Sequence, residues 1–221
     1  MTLDELDSII TQGEKMGIYM YIYSGGEPLV RKKDIITLCE MHPDCQFLAF
    51  TNATLIDEQF ANEMLRVRNF VPAISVEGFE AETDFRRGEG TYQKVIQAME
   101  LLKRKKLVFG ISCCYTSKNI EVIGSEAYFD KMIDLGAKFA WFFTYIPVGK
   151  DAVPELMTVP WPPMNFVAEW TTTSAPCSMG RRRKGVAKVL STMSGMPCRW
   201  ATAEIASMSM TSEFGLPSVS A

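Results

Sequence analysis

No stretch of the 221 residues approaches the roughly 20 consecutive apolar residues that cross a bilayer. The opening MTLDELDS is acidic and lacks the basic-then-apolar order of a secretion signal. Positive charge is also short. The net charge is −3, which speaks against charge-driven binding to nucleic acid or to an anionic membrane. Only one histidine exists, His42, placed between Met41 and Pro43 at a helix end. That setting suits a surface or helix-terminal charge, not a catalytic base. The six cysteines (Cys39, Cys45, Cys113, Cys114, Cys177, Cys198) are scattered, and a chain of this length needs no disulfide framework. Reduced thiols and a cytoplasmic location follow as expectations.

What is present is alternation. TLDELDSIITQGEKMG has Glu5 three residues after Thr2, a capping-box spacing, and Gly17 to end the helix. Ile18–Tyr23 is a nearly continuous apolar run, as in a buried parallel strand. Further strands are read in CQFLAFT, FVPAISVEG (broken by Gly78), LVFGISCCYT and AKFAWFFTYIPVG, each separated from the next by an amphipathic helix, with FEAETDFRRGEG read as a polar loop. Cys113 and Cys114 fall mid-strand and read as packing. The order α-β-α-β-α-β-α-β-α-β predicts α/β architecture, with a parallel sheet covered by helices. Right-handed crossovers leave two forms, an open doubly wound sheet or a barrel. In both, ligands sit at the C-terminal ends of the strands.

Those ends are chemically distinctive. The first strand stops at Ser24 and runs into Gly25-Gly26-Glu27-Pro28. Paired glycines permit positive φ and close approach to the main chain. Proline fixes the exit. The second strand ends on Thr51-Asn52, the third on Ser75-Val76-Glu77-Gly78, the fourth near Thr116 and Asn119, and the fifth on Ile146-Pro147-Val148-Gly149. A turn needs glycine or asparagine. It does not need Glu27 and Glu77 at the ends of two strands. A phosphate site is disfavoured, because Glu27 would repel phosphate and the turn itself holds no Lys or Arg.

YSGGEPL after the first strand, TNATLI after the second and SVEGFEAETDFRRGEGTY after the third resemble the radical SAM enzymes, most closely the branch carrying an additional C-terminal iron–sulfur (SPASM) domain. The resemblance covers about residues 1–155. It implies a partial (β/α)6 TIM-like barrel that binds S-adenosylmethionine (AdoMet) across a [4Fe–4S] cluster. There the cofactor is split to a 5′-deoxyadenosyl radical that takes a hydrogen atom from substrate. Carried onto this chain, Gly25, Gly26, Glu27 and Pro28 form the turn at the methionine ammonium. Ser75 and Arg87 match the pair for the methionine carboxylate, a forked guanidinium being suited to that group. Asn52 and Glu77 fall near the ribose, and Ile146 on the adenine. The substrate stays open within the family's range, which includes peptides and proteins.

Two features depart from the pattern. The family's cluster ligands, spaced Cys-x3-Cys-x2-Cys, do not occur in the 221 residues. The expectation is therefore a core lacking the first barrel strand, with an open apolar edge at Ile18–Tyr23, inactive alone, with the cluster and its ligands belonging to a longer form. Second, the character changes near Thr158. Residues 1–157 carry a net −6 and residues 158–221 a net +3; tyrosine is absent after Tyr145 and aspartate after Asp151. The expected division is a core over 1–155 and an irregular tail over 156–221, out of frame or disordered. The alternative to an enzyme core is a non-catalytic α/β remnant or binding module.

Overall fold

The computed structural model describes residues 1–149 and 152–158, all within one compact unit spanning Met1–Phe166. Most of the tail expected over 156–221 lies outside the described residues. In chain order the elements are α1 (Leu3–Lys15), β1 (Met20–Tyr23), α2 (Lys32–Met41), β2 (Gln46–Thr51), α3 (Glu58–Val67), β3 (Phe70–Ser75), α4 (Glu80–Arg87), α5 (Thr91–Arg104), β4 (Gly110–Tyr115), α6 (Ile120–Ile123), α7 (Glu126–Leu135) and β5 (Ala140–Thr144). Short 3-10 turns occupy Pro28–Arg31 and Pro154–Leu156.

The five strands form one sheet in the order β1-β2-β3-β4-β5, every neighbouring pair parallel. Strand order that follows the chain without reversal is singly wound. It removes the doubly wound alternative and leaves a curled half-barrel with helices outside. Side-chain alternation sorts the two faces. Phe47, Phe70, Ile74, Ile111, Cys113 and Tyr115 join Leu38, Phe60, Met64, Val95, Met99, Leu102, Tyr128 and Met132 from the helices in the core. On the other face, Phe50 of β2 meets Trp141 and Phe143 of β5 edge-on, with centroids 5.6 and 5.4 Å apart. In a flat sheet those strands lie three spacings apart, about 14 Å. The rings meet because the sheet curls and because Ala73 and Gly110 between them are small. A Cβ on Gly110 would lie 2.3 Å from the ring of Phe139.

The α1 capping box forms as read, with Thr2 Oγ1 accepting from Glu5 N at 3.2 Å and Glu5 Oε2 accepting from Thr2 N at 2.7 Å. Three readings change. β1 is at the edge of the described sheet, as the open edge expected at Ile18–Tyr23 has it, but it is not buried; Met20 and Ile22 are 45% and 37% exposed on the concave face. EAETDFRR is helix α4, not loop. Glu80 and Glu82 stand in its first turn and Arg86 and Arg87 in its last, each matching the helix dipole. Glu82 Oε2 also accepts from Phe79 N at 2.9 Å, satisfying an otherwise orphan donor. His42 stands at the end of α2, as read, but is buried and not at the surface. Its Nε2 lies 2.9 Å from Asp7 Oδ1 and its Nδ1 3.1 Å from Glu14 Oε2, tying α1 to the end of α2. Among the described residues no helix is long and apolar enough to cross a membrane.

Candidate functional site

Parallel strands bring all five C-terminal ends to one rim, and two polar clusters stand on it. The first is organised by Glu27. One carboxylate oxygen accepts from Leu29 N at 2.9 Å and Thr51 Oγ1 at 2.7 Å, the other from Asn52 N at 2.8 Å. The side chain thus clamps the Gly-Gly turn after β1 to the end of β2. Gly25 has φ +120°, a conformation that favours glycine, and no atom lies within 4 Å of where a Cβ would stand on Gly25 or Gly26. Pro28 opens the 3-10 turn that follows. Asn52 is half-buried and closes a local turn, its Oδ1 accepting from Thr54 N at 3.0 Å and Thr54 Oγ1 at 2.7 Å. The residue with positive φ is its neighbour Ala53.

The second cluster is organised by Glu77, which is fully buried. Its Oε1 accepts from Arg87 through both Nε, at 3.1 Å, and Nη2. Arg86 Nε stands 3.5 Å from the same oxygen. Its Oε2 accepts from Cys114 N at 2.8 Å, with the Cys113 thiol 3.6 Å away. A buried carboxylate is tolerable only when paired and hydrogen-bonded, and here both conditions hold. Asn119 fastens the cluster across strands. Its Nδ2 donates to Glu77 O at 2.8 Å and Cys114 O at 3.2 Å, while its Oδ1 accepts from Thr116 N at 2.7 Å and Thr116 Oγ1 at 3.1 Å. Thr83 Oγ1 accepts from Glu77 N at 3.1 Å. Beside this cluster Ser75 Oγ pairs with Ser112 Oγ at 3.1 Å on the concave face. Ile146 stands just past β5, 51% exposed.

The structure therefore groups Gly25, Gly26, Glu27 and Asn52 at one side of the rim, and links Glu77 to Arg87 with Ser75 near them on β3. Glu27, Glu77 and Arg87 spend their charged groups on protein partners. Sequence reading singled out neither Ser112 nor Thr83. Ser112 faces Ser75 only through the β3–β4 register, which no local pattern reveals. Thr83 lies within a charged run that reads as solvated.

The four described cysteines fall in two pairs, Cys39 with Cys45 beside α2 and Cys113 with Cys114 on β4. Among the described residues no three His, Cys, Asp or Glu side chains are arranged to hold a metal ion. Burial pushes the Cys39 thiol up to about 12, and burial with the Glu14 carboxylate pushes Cys45 up to about 11. Cys113 is raised by burial and by Glu77; Cys114, half-buried on the concave face, is raised by burial although Arg86 opposes it. Iron is ligated by thiolate, so these four thiols, divided between the neighbourhood of α2 and β4 and disfavoured by burial as thiolates, do not fit an iron–sulfur cluster.

Comparison with known proteins places this rim in context. The family model described as "Radical SAM superfamily" matches residues 1–121. The AdoMet-dependent heme synthase of Methanosarcina barkeri is 27% identical over 154 residues, covering 68% of this chain and 43% of that protein. Among solved structures, native anSMEcpe with bound AdoMet shares 22% identity at a TM-score of 0.59, covering 79% of this chain and 49% of the other. Streptococcus suis SuiB bound to S-adenosylmethionine shares 17% identity at a TM-score of 0.64, covering 78% and 40%. The chain thus spans less than half the length of each.

Proposed function

The chain belongs to the radical SAM superfamily of enzymes, and on that premise we propose that its strand-end rim binds AdoMet. The observation that carries the reading is the Glu27 clamp. By spending its carboxylate on Leu29 N, Thr51 Oγ1 and Asn52 N, Glu27 holds the Gly25-Gly26 backbone rigid with open space above it. Main-chain carbonyls in such a turn suit an ammonium group. Arg87, oriented by Glu77, and Ser75 supply donors for the methionine carboxylate. Asn52 offers a polar contact to the ribose, and Ile146 an apolar one to adenine. In this arrangement Glu77 acts by holding Arg87. Bound AdoMet would supply a sulfonium-activated adenosyl and methionyl group; the residues named here bind and orient it. The described residues do not fit a [4Fe–4S] cluster, and we infer that this chain alone neither holds one nor cleaves the cofactor. We propose in addition a cytoplasmic location and a peptide or protein substrate. In favour of that last element, structures of similar fold carry peptides, namely anSMEcpe with Kp18Cys peptide and SuiB with precursor peptide SuiA. A second reading, a binding module without radical chemistry, is favoured by the burial of Cys39 and Cys113, which pushes both thiols up and away from the thiolate form.

Gly26→Val tests the rim. Gly26 lacks positive φ, and nothing lies within 4 Å of its Cβ position, so valine fits the fold while filling the space assigned to the methionine end. The expected result, by anaerobic titration calorimetry, is at least about tenfold weaker AdoMet binding with an unchanged melting temperature. Equal affinity in variant and parent sinks the rim assignment. Iron counting after anaerobic reconstitution tests the inference about the cysteines: iron retained by this chain's own cysteines would overturn the inference that they do not fit.

A further inference from the structure

A separate cavity of about 560 Å³ lies between α4 and the turn after β4, lined by Phe85, Arg86, Thr116, Lys118, Tyr145 and Leu156 among others. Its volume suits a small organic ligand. Its charge is distinctive. Glu77 is already satisfied by two nitrogens of Arg87 and by Cys114 N, while Arg86 approaches it only through Nε at 3.5 Å and otherwise meets the Cys114 thiol, which carries no balancing charge. Two guanidinium groups on one carboxylate leave a positive excess, and Arg86, not Arg87, lines the cavity. Lys118 adds a second cation, and its Nζ has no ion-pair or hydrogen-bond partner among the described residues. The carboxylate in the lining, Glu82, is engaged in capping α4 through Phe79 N. Against these charges stands an apolar wall of Ala81, Leu156 and Phe85, and Phe85 is 75% exposed in an otherwise charged helix.

A free ammonium, an under-paired guanidinium and an exposed aromatic ring around one cavity recognise an anion joined to an apolar body. We propose that this cavity is a substrate subsite for a carboxylate carried beside an aromatic or similarly large apolar group. Arg86 and Lys118 hold the carboxylate, a charge-assisted pairing, and Phe85 and Leu156 cover the apolar part. The subsite rests on the reading of the rim as the AdoMet site, since it lies beside the Glu77–Arg87 cluster without using the Gly25-Gly26 turn.

The probe is 3-phenylpropionate, with 3-phenylpropanamide as its uncharged partner, titrated into the chain and followed by NMR. The acid should bind at least about tenfold more tightly than the amide. Lys118→Gln, at an exposed position, should remove most of that preference and leave AdoMet affinity unchanged; Phe85→Ser should weaken acid and amide alike. Equal binding of acid and amide, no binding of either, or an unaltered preference in Lys118→Gln overturns the subsite. Loss of AdoMet affinity in Lys118→Gln also overturns it, by assigning the cavity to the cofactor. AdoMet titrated into the same parent sample separates the two claims. Cofactor binding without acid binding defeats the subsite alone, whereas no cofactor binding defeats the rim reading and with it the subsite's role.

Discussion

Arg86 and Arg87 are adjacent, identical in type and both near Glu77, yet their energetic weights differ. Arg87 gives two hydrogen bonds to Glu77 Oε1, while Arg86 stays at 3.5 Å. Removing one partner of a buried carboxylate costs the desolvation that pairing had offset. Arg87→Gln should therefore destabilise the fold by about 2 kcal/mol or more. Arg86→Gln should cost under about 1 kcal/mol, as for a looser, partly exposed pair. Urea midpoints of the two variants decide this, and equal losses would mean that Arg86 also holds Glu77. Nothing local in SVEGFEAETDFRRGEG distinguishes the two arginines. The difference arises because α4 places Arg87 toward the β3 end, where Glu77 has no exposed surface.

At the scale of elements, caps explain where helices begin. α3 starts after Asp57, whose Oδ1 accepts from Phe60 N at 2.7 Å and whose Oδ2 meets Lys32 Nζ of α2 at 2.6 Å. The Lys32 hydrogen bond, then the Phe60 N–H, hold this carboxyl below the usual carboxylate range. A lowered folded-state pKa contributes stability that is present above the unfolded value and lost as pH falls through the folded one. Asp57→Ala should cost about 1 kcal/mol at neutral pH, as for other N-cap losses. Its deficit in melting temperature should shrink between pH 5 and about pH 3. A deficit that does not change with pH would assign the effect to packing instead. The α1 box was legible because Thr2 and Glu5 are a local pair. Helix α4 was not, because its acidic-then-basic order reads as a solvated loop until Gly78 and Thr83 are seen to fix its start.

For the whole molecule, the open side of β1 is the consequential feature. β1 pairs only with β2 among the described residues, and Met20 and Ile22 lie exposed on the concave face beside that edge. An apolar strand with one unpaired side templates association. Ile22→Lys should lower concentration-dependent association in light scattering while shifting the melting temperature little, since Ile22 is 37% exposed already. Association undiminished by this charge would place the sticky surface elsewhere.

The sequence by itself determined the alternating α/β order, the parallel sheet and the polar strand-end rim at which ligand binding is proposed. These follow from apolar periodicity and strand-end residues, which are local properties. The resemblance carried by GGEP, TNAT and SVEG identified the family for the same reason, each motif lying within one turn. Tertiary structure decided what locality cannot. Strand order 1-2-3-4-5 chose the curled half-barrel over the doubly wound sheet. Register brought Ser112 to Ser75, and burial joined Glu77 to Arg87 and His42 to Asp7 and Glu14. Curling brought Phe50 to Phe143 across two strands. All of these link residues at least ten positions apart, whose meeting depends on crossover geometry and on how the core packs, not on the residues' own preferences.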